Sequence, residues 1–367
     1  MTGRRTVSPT ARNITRGPVG TIVLAMLFGT MLMTADATAA EKTPSAEDAP
    51  AAQPWALKRP TLGGSQFWGD VVLRSGWRIQ RHAWTGTHRL IDPKQLQHAG
   101  GTKAECFAVL DSPAYRRLAP PMSGEVTILV HGILRGSSSM NSVKRRLDAA
   151  GLQPLRWDYP STQGTIDQAA ATLAEAIDSL GPEVTKINFV VHSMGGLVVR
   201  AYGGCADAAD GDADGDADGD ADGDGDGEAL PACDPRLHRL VMIATPNQGA
   251  EMASYLKALL PYRMLYGPAG RQLAHDEDAI AALPVPPMEF AIVAGHRGRA
   301  GGYNPLIPGD DDGTITVASA RLSGAADFQA FRGMHSFLMD QPEVVDAVER
   351  FLRTGGLRES GERQPID

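Results

Sequence analysis

Residues 186–196 read KINFVVHSMGG. The first half is a short apolar run with two adjacent β-branched residues, Val190 and Val191. The second half is small or glycine, and it feeds an apolar-periodic segment from Leu197 to Tyr202. That order predicts a buried strand, a tight turn and a helix. A serine, Ser193, stands in the turn. Such a turn lifts the hydroxyl out of the sheet edge and aims the next backbone N–H, that of Met194, at the place where an oxyanion would form. Strand and helix run close together there, which calls for the small Gly195. The competing explanation is a structural loop serine, so the rest of the chain has to supply a base, an acid and a second oxyanion donor.

Working outward, residues 125–136 read EVTILVHGILRG, a continuous apolar strand over Val126–Val130 with HG immediately after it. Ser139–Ala150 carries Met140, Val143 and Leu147 at helical spacing and ends at Gly151. Pro154–Tyr159 reads as the next strand. Thr165–Leu180 reads as a helix with Ile166, Ala169, Leu173, Ala176 and Ile177 on one face, stopped by Gly181–Pro182. After the serine turn, Leu237–Ala244 is an apolar strand followed by TPNQG (Thr245–Gly249). Glu289–Ala294 and Phe328–Phe331 are further strands, and Pro342–Leu352 is the closing helix. The alternation predicts an α/β, doubly wound, mostly parallel sheet with Ser193 at the carboxyl end of a central strand, where such sheets bind ligands. Val71–Leu73, Trp77–Trp84 and His88–Ile91 read as antiparallel strands at the sheet edge. Four of the five tryptophans lie between residues 55 and 84. Packing of an edge hairpin against the body accounts for them better than a binding surface does.

The chain has 367 residues, 43% of them hydrophobic, enough for a sizeable core. Its net charge of −8 is misleading. Residues 207–228 hold ten Asp and one Glu with no Lys or Arg, and outside them 35 bases face 32 acids. Without a basic stripe or a reading motif, nucleic acid is excluded as a partner. Within the acidic repeat, Asp210, Asp212, Asp214 and Gly215 match the opening of an EF-hand loop. Ala221 then stands where the bidentate Glu belongs. The segment reads as a solvated low-complexity insertion, with weak calcium binding as the alternative. Cys205 and Cys233 flank it. They read either as a disulfide closing the loop or, with Cys106, as three unpaired thiols. At the N-terminus, Arg4, Arg5, Arg12 and Arg16 precede the apolar run Val19–Met33 and an A-x-A site at Ala37–Ala39. This is the pattern of a signal peptide over 1–40, with an uncleaved membrane anchor as the alternative. Residues 41–60, rich in Ala, Pro and charge, read as a disordered linker.

The Ser193 turn, the strand ending in HG and the stretch RLVMIATPNQGAEMA together resemble the α/β-hydrolase superfamily, in particular bacterial lipases and esterases, over residues 120–355. The family's elbow is usually G-x-S-x-G; here Val191 replaces the first glycine, which tightens packing and leaves the nucleophile in place. The resemblance implies Ser193 as nucleophile and His335, in GMHSFLMDQP, as base. It places the acid on Asp312, before Gly313, with Asp310 and Asp311 as rivals. It gives Ile133, after HG, as the oxyanion donor that joins Met194. His131 and His192 read as scaffold. A cap or lid is implied over 250–287, with ordinary core helices as the alternative, and a tail over 356–367. The implied protein is a secreted or periplasmic serine hydrolase, a lipase or carboxylesterase working through an acyl-enzyme on small-molecule or lipid esters. It needs no metal or organic cofactor. Acyltransferase, thioesterase or amidase chemistry fits the same elbow, and a binding protein that keeps the fold is the non-enzymatic alternative. Acyl length and oligomeric state are not written in these residues.

Overall fold

A computed structural model describes residues 59–60, 65–204, 233–249, 268 and 277–367. The signal-peptide segment, the linker up to residue 58, Cys205, the acidic insertion and most of 250–287 lie outside the described residues; the last two linker residues, Arg59 and Pro60, are a strand and not disordered.

The first strands are β1 (Arg59–Pro60), β2 (Trp68–Arg74), β3 (Trp77–His82), β4 (His88–Ile91) and β5 (Leu96–Gly101). They do not extend the parallel sheet, as edge strands would. They form an antiparallel sheet of their own in the order β1-β5-β4-β3-β2. Two short helices that periodicity did not reveal, α1 (Lys103–Leu110) and α2 (Pro113–Leu118), follow. Thr102 and Glu105 start α1 with a capping box, each side chain serving the other's backbone N–H. Val71, Ile79, Leu90, Cys106 and Leu110 close a small core under this sheet.

The second sheet is all parallel, in the order β11-β10-β9-β8-β6-β7. Its strands are β6 (Gly124–Val130), β7 (Pro154–Trp157), β8 (Val184–His192), β9 (Leu237–Ile243), β10 (Glu289–His296) and β11 (Asp327–Arg332). The remaining α-helices among the described residues are α3 (Asn141–Ala149), α4 (Ile166–Asp178), α5 (Met194–Tyr202), α6 (Glu277–Ala281) and α7 (Pro342–Thr354). Strand residues alternate between two cores. Ile187, Phe189 and Val191 of β8 pack with α4 and α5 on one face. Val190 packs with α3 and α7 on the other. The strands read as unbroken apolar runs because both faces are covered.

The connection from β6 runs outward to β7, and β8 then returns on the opposite side of β6. The crevice at the carboxyl ends of β6 and β8 is therefore a topological switch point. Residues 356–367 do not trail away from the body. Leu357 is fully buried, its N–H donates to Asp327 (2.7 Å), and Ile366 bridges to Ala325.

Candidate active site

Ser193 ends β8 and caps α5 with φ 55° and ψ −128°. That conformation costs a side-chain-bearing residue on the order of 1–3 kcal/mol, and it is held because both neighbouring elements are fixed by the core. The Ser193 N–H donates to the carbonyl of Ile243 in β9 (2.9 Å). The small Gly195 is required by the end of β6 and not by β8: a Cβ there would meet the His131 carbonyl oxygen at 2.8 Å. Val191, in place of the first elbow glycine, is buried in the core that also takes Met194, Leu197 and Val198.

His335 lies in the turn after β11, and its Nε2 is 3.1 Å from Ser193 Oγ. Its Nδ1 is 2.8 Å from Asp312 Oδ2. Asp312 is 1% exposed. Its other carboxylate oxygen accepts from the N–H groups of Thr314 (2.9 Å) and Ile315 (2.8 Å). A carboxylate so surrounded acts as an acceptor, so Nδ1 carries the imidazole proton and Nε2 is left free to take the serine proton. The His335 N–H also donates to the Asp312 carbonyl (2.8 Å), which ties the two loops together. The rival aspartates serve the loop itself. Asp310 accepts from the N–H groups of Arg297 and Gly298. Asp311 accepts from those of Tyr303, Asn304 and Gly313.

The HG turn after β6 presses on the elbow, where a Cβ on Gly132 would lie 3.0 Å from Ser193 Cβ. Ile133 follows at once. The next two N–H groups are engaged elsewhere, Leu134 with Ser161 Oγ and Arg135 with the Gly132 carbonyl. Met194 opens α5, so its N–H is among the first-turn donors that no helical carbonyl takes.

Both flanking histidines sit in the framework. His131 is buried and stacked on Tyr159 with ring centroids 4.5 Å apart, and Nδ1 donates to the Gly132 carbonyl (2.8 Å). His192 is buried, and its Nε2 donates to the His335 carbonyl (3.0 Å). Burial, with the His335 ring alongside, pushes its pKa well below the ordinary value. Thr245 and Asn247, just after β9, are buried; Asn247 Nδ2 donates to the Ala320 carbonyl and its own carbonyl accepts from Arg200.

Several supports escaped sequence reasoning. Asp158 accepts from both the N–H and the hydroxyl of Ser137 (2.6 and 2.7 Å), fixing the far end of the HG loop. Gln66 donates to the Arg135 carbonyl, and Arg135 in turn reaches the Ser336 carbonyl beside the base. These contacts join residues 21 to 201 positions apart, so no local pattern announces them. A cavity of about 350 Å³ reaches Met194 from the loop after β7, lined in part by Arg81, Tyr159, Ser161 and Gln163. Among the described residues, no cluster of three His, Cys, Asp or Glu side chains is placed to hold a metal ion. Cys233 is disulfide-bonded and Cys106 is a free, buried thiol.

No family profile and no curated protein matches the sequence. Solved structures do match. A mature lipase of Bacillus licheniformis is 17% identical over 65% of this chain and 93% of its own, with a TM-score of 0.44. The esterase Est1E of Butyrivibrio proteoclasticus is 16% identical over 64% and 88%, with a TM-score of 0.39. A gene product of Listeria innocua is 18% identical over 63% and 94%, with a TM-score of 0.39. At these identities and scores the matches carry no functional argument, and the fold rests on strand order and elbow. With a parallel sheet reversing between β6 and β8, a serine elbow at the end of β8, and Ser193, Asp312 and His335 following in that chain order, the chain has the α/β-hydrolase fold.

Proposed function

We propose that the protein is a serine hydrolase of carboxylic esters, with Ser193 as nucleophile, His335 as base and Asp312 as its orienting acid. The observation that carries this reading is the relay Asp312–His335–Ser193, at 2.8 and 3.1 Å. His335 Nε2 takes the hydroxyl proton as Ser193 Oγ attacks the acyl carbonyl. Asp312 stabilises the imidazolium that forms. The N–H groups of Ile133 and Met194 receive the oxyanion, and His335 returns the proton to the departing alcohol. Water, activated by the same imidazole, then releases the acyl group. Met334 and Phe337, on either side of His335 in the chain, are 48% and 61% exposed. In sequence they border the base, which makes them the candidates to meet an apolar acyl or alkyl group. Export is part of the proposal, supported by the basic, apolar and A-x-A order of the first forty residues.

A fluorophosphonate probe tests it. Labelling of the wild-type chain that vanishes in Ser193→Ala supports the reading, and folded protein that never labels overturns it. A panel of p-nitrophenyl esters of increasing chain length then fixes the acyl preference, and turnover of amides but not esters would reject the ester assignment.

A further inference from the structure

Gln66 reaches the oxyanion turn from outside the parallel sheet. It lies in a single 3-10 turn, Ser65–Phe67, just before β2. That turn is held from behind. The Phe67 carbonyl accepts from the Ala83 N–H (2.8 Å), and the Phe67 ring packs edge-on against Trp84 with centroids 5.0 Å apart. Gln66 is half-buried, and both ends of its amide are used. Its Nε2 donates to the Arg135 carbonyl (2.8 Å). Its Oε1 accepts from the hydroxyls of Ser161 and Thr162, each at 3.1 Å. Ser161 Oγ, with its proton on Gln66, accepts in turn from the Leu134 N–H (3.1 Å). The hydrogen bonds therefore close a ring that runs from the Leu134 N–H through Ser161 and Gln66 to the Arg135 carbonyl. Only Nε2 can serve a carbonyl, which fixes the orientation of the amide.

Ile133, the oxyanion donor of the proposed hydrolase, immediately precedes this ring. In a trans peptide the N–H points away from the carbonyl of the same unit, so whatever grips the Gly132 carbonyl aims the Ile133 N–H. His131 Nδ1 (2.8 Å) and the Arg135 N–H (3.3 Å) grip it. The Arg135 N–H belongs to the peptide unit that joins Leu134 to Arg135. The units on either side of that one are the two held by Ser161 and by Gln66. Leu134 has φ 58°, a left-handed conformation that disfavours any residue with a side chain and that persists only when its surroundings impose it. Without Gln66 the Arg135 carbonyl is released and Ser161 loses its acceptor, so Leu134 can relax and turn the Gly132–Ile133 unit with it. We infer that Gln66 is a positioning residue for the reaction, fixing the Ile133 N–H where the oxyanion forms. The inference rests on the ester-hydrolase reading and adds to it a residue that acts through the backbone, supplied by the segment that leads into the antiparallel sheet.

The test is steady-state turnover of a p-nitrophenyl ester by the full chain, with a urea midpoint recorded for each variant. Gln66→Met keeps the length of the side chain and loses both polar ends. It should lower kcat about tenfold or more and leave KM within about twofold, because the oxyanion contact is made in the transition state. A trifluoromethyl ketone, which forms an oxyanion adduct on a reactive serine, should bind more weakly by the factor that kcat/KM loses. Gln66→Glu keeps the shape and the acceptor for Ser161 but sets a carboxylate oxygen against the Arg135 carbonyl. Its activity relative to the wild type should rise as the pH falls, since a protonated carboxyl can again donate. Should Gln66→Met fail to fold, the Gln66→Glu profile carries the comparison. An unchanged kcat in Gln66→Met, a loss carried by KM alone, or a Gln66→Glu ratio that is flat with pH overturns the inference while the ester reading stands. A wild type that neither turns over esters nor labels at Ser193 removes that reading, and this inference with it.

Discussion

The carboxyl-end rim of the parallel sheet and the seam between the two sheets both bury carboxylates, and they do so by opposite means. At the rim, Asp312 is matched by two neighbouring backbone N–H groups and one imidazole, with no guanidinium involved. At the seam, Asp70 and Asp158 share Arg78, Gln80 donates to Asp70, and the Asp158 N–H donates to Asp70 as well. The first arrangement leaves one imidazole nitrogen facing the Ser193 hydroxyl. The second locks two sheets together through paired charges. Burial alone therefore does not mark a working site; what marks it is a titratable group whose partners leave one position open.

The largest expected effect falls on chemistry alone. Ser193→Ala should lower kcat for an activated ester by about 10⁴-fold or more. Its urea midpoint should stay close to that of the wild type, since no ion pair is lost. A seam variant should do the reverse. Arg78→Met leaves Asp70 and Asp158 facing each other without their cation and should cost about 3–5 kcal/mol in urea unfolding. Were the Arg78 variant as stable as the wild type, the contrast between the two regions would fail.

The same contrast explains what the sequence could tell. The elbow and the HG turn are local devices whose residue types follow from backbone geometry, whereas His335 and the acid loop are what the family resemblance implies, in chain order after Ser193. The resemblance also ranks Asp312 above Asp310 and Asp311, but residue types alone do not, because the ranking depends on which carboxylate faces an imidazole 23 residues away. The seam was illegible for a stronger reason. Arg78 and Asp158 are 80 residues apart, and in a one-dimensional reading each looks like an ordinary surface charge. The separate antiparallel sheet was missed likewise: alternation predicts strands, but nothing in β2 says which sheet it joins.

Asp70 sharpens the comparison through pH. Burial first, and then the neighbouring Asp158, push its pKa up to about 6 against the pull of Arg78. A native carboxyl that holds its proton more tightly than the unfolded chain stabilises the fold most below pH 3.8. That contribution disappears as the pH rises through 6. Replacing it by Asn should remove this downward slope. The difference in unfolding free energy between wild type and Asp70→Asn should then drift by up to roughly 3 kcal/mol between pH 4 and 7. Parallel stability curves for the two proteins over that range would show that Asp70 does not titrate there.

The smallest effect belongs to His192, which sits at the rim yet is held as the seam residues are. Its ring lies 4.8 Å from that of His335, its Nε2–H grips the His335 carbonyl, and its Nδ1 is buried without a partner. Burial and the neighbouring imidazole both oppose its protonation. It therefore acts on the base only by fixing where that backbone stands. One hydrogen bond of this kind contributes about 1 kcal/mol, so His192→Leu should lower kcat about five- to tenfold and leave KM unchanged. His192→Gln, which can still donate to the carbonyl, should recover part of the loss. If His192→Leu instead raised KM with kcat intact, the residue would be shaping the substrate cleft, and its place beside the base would be incidental.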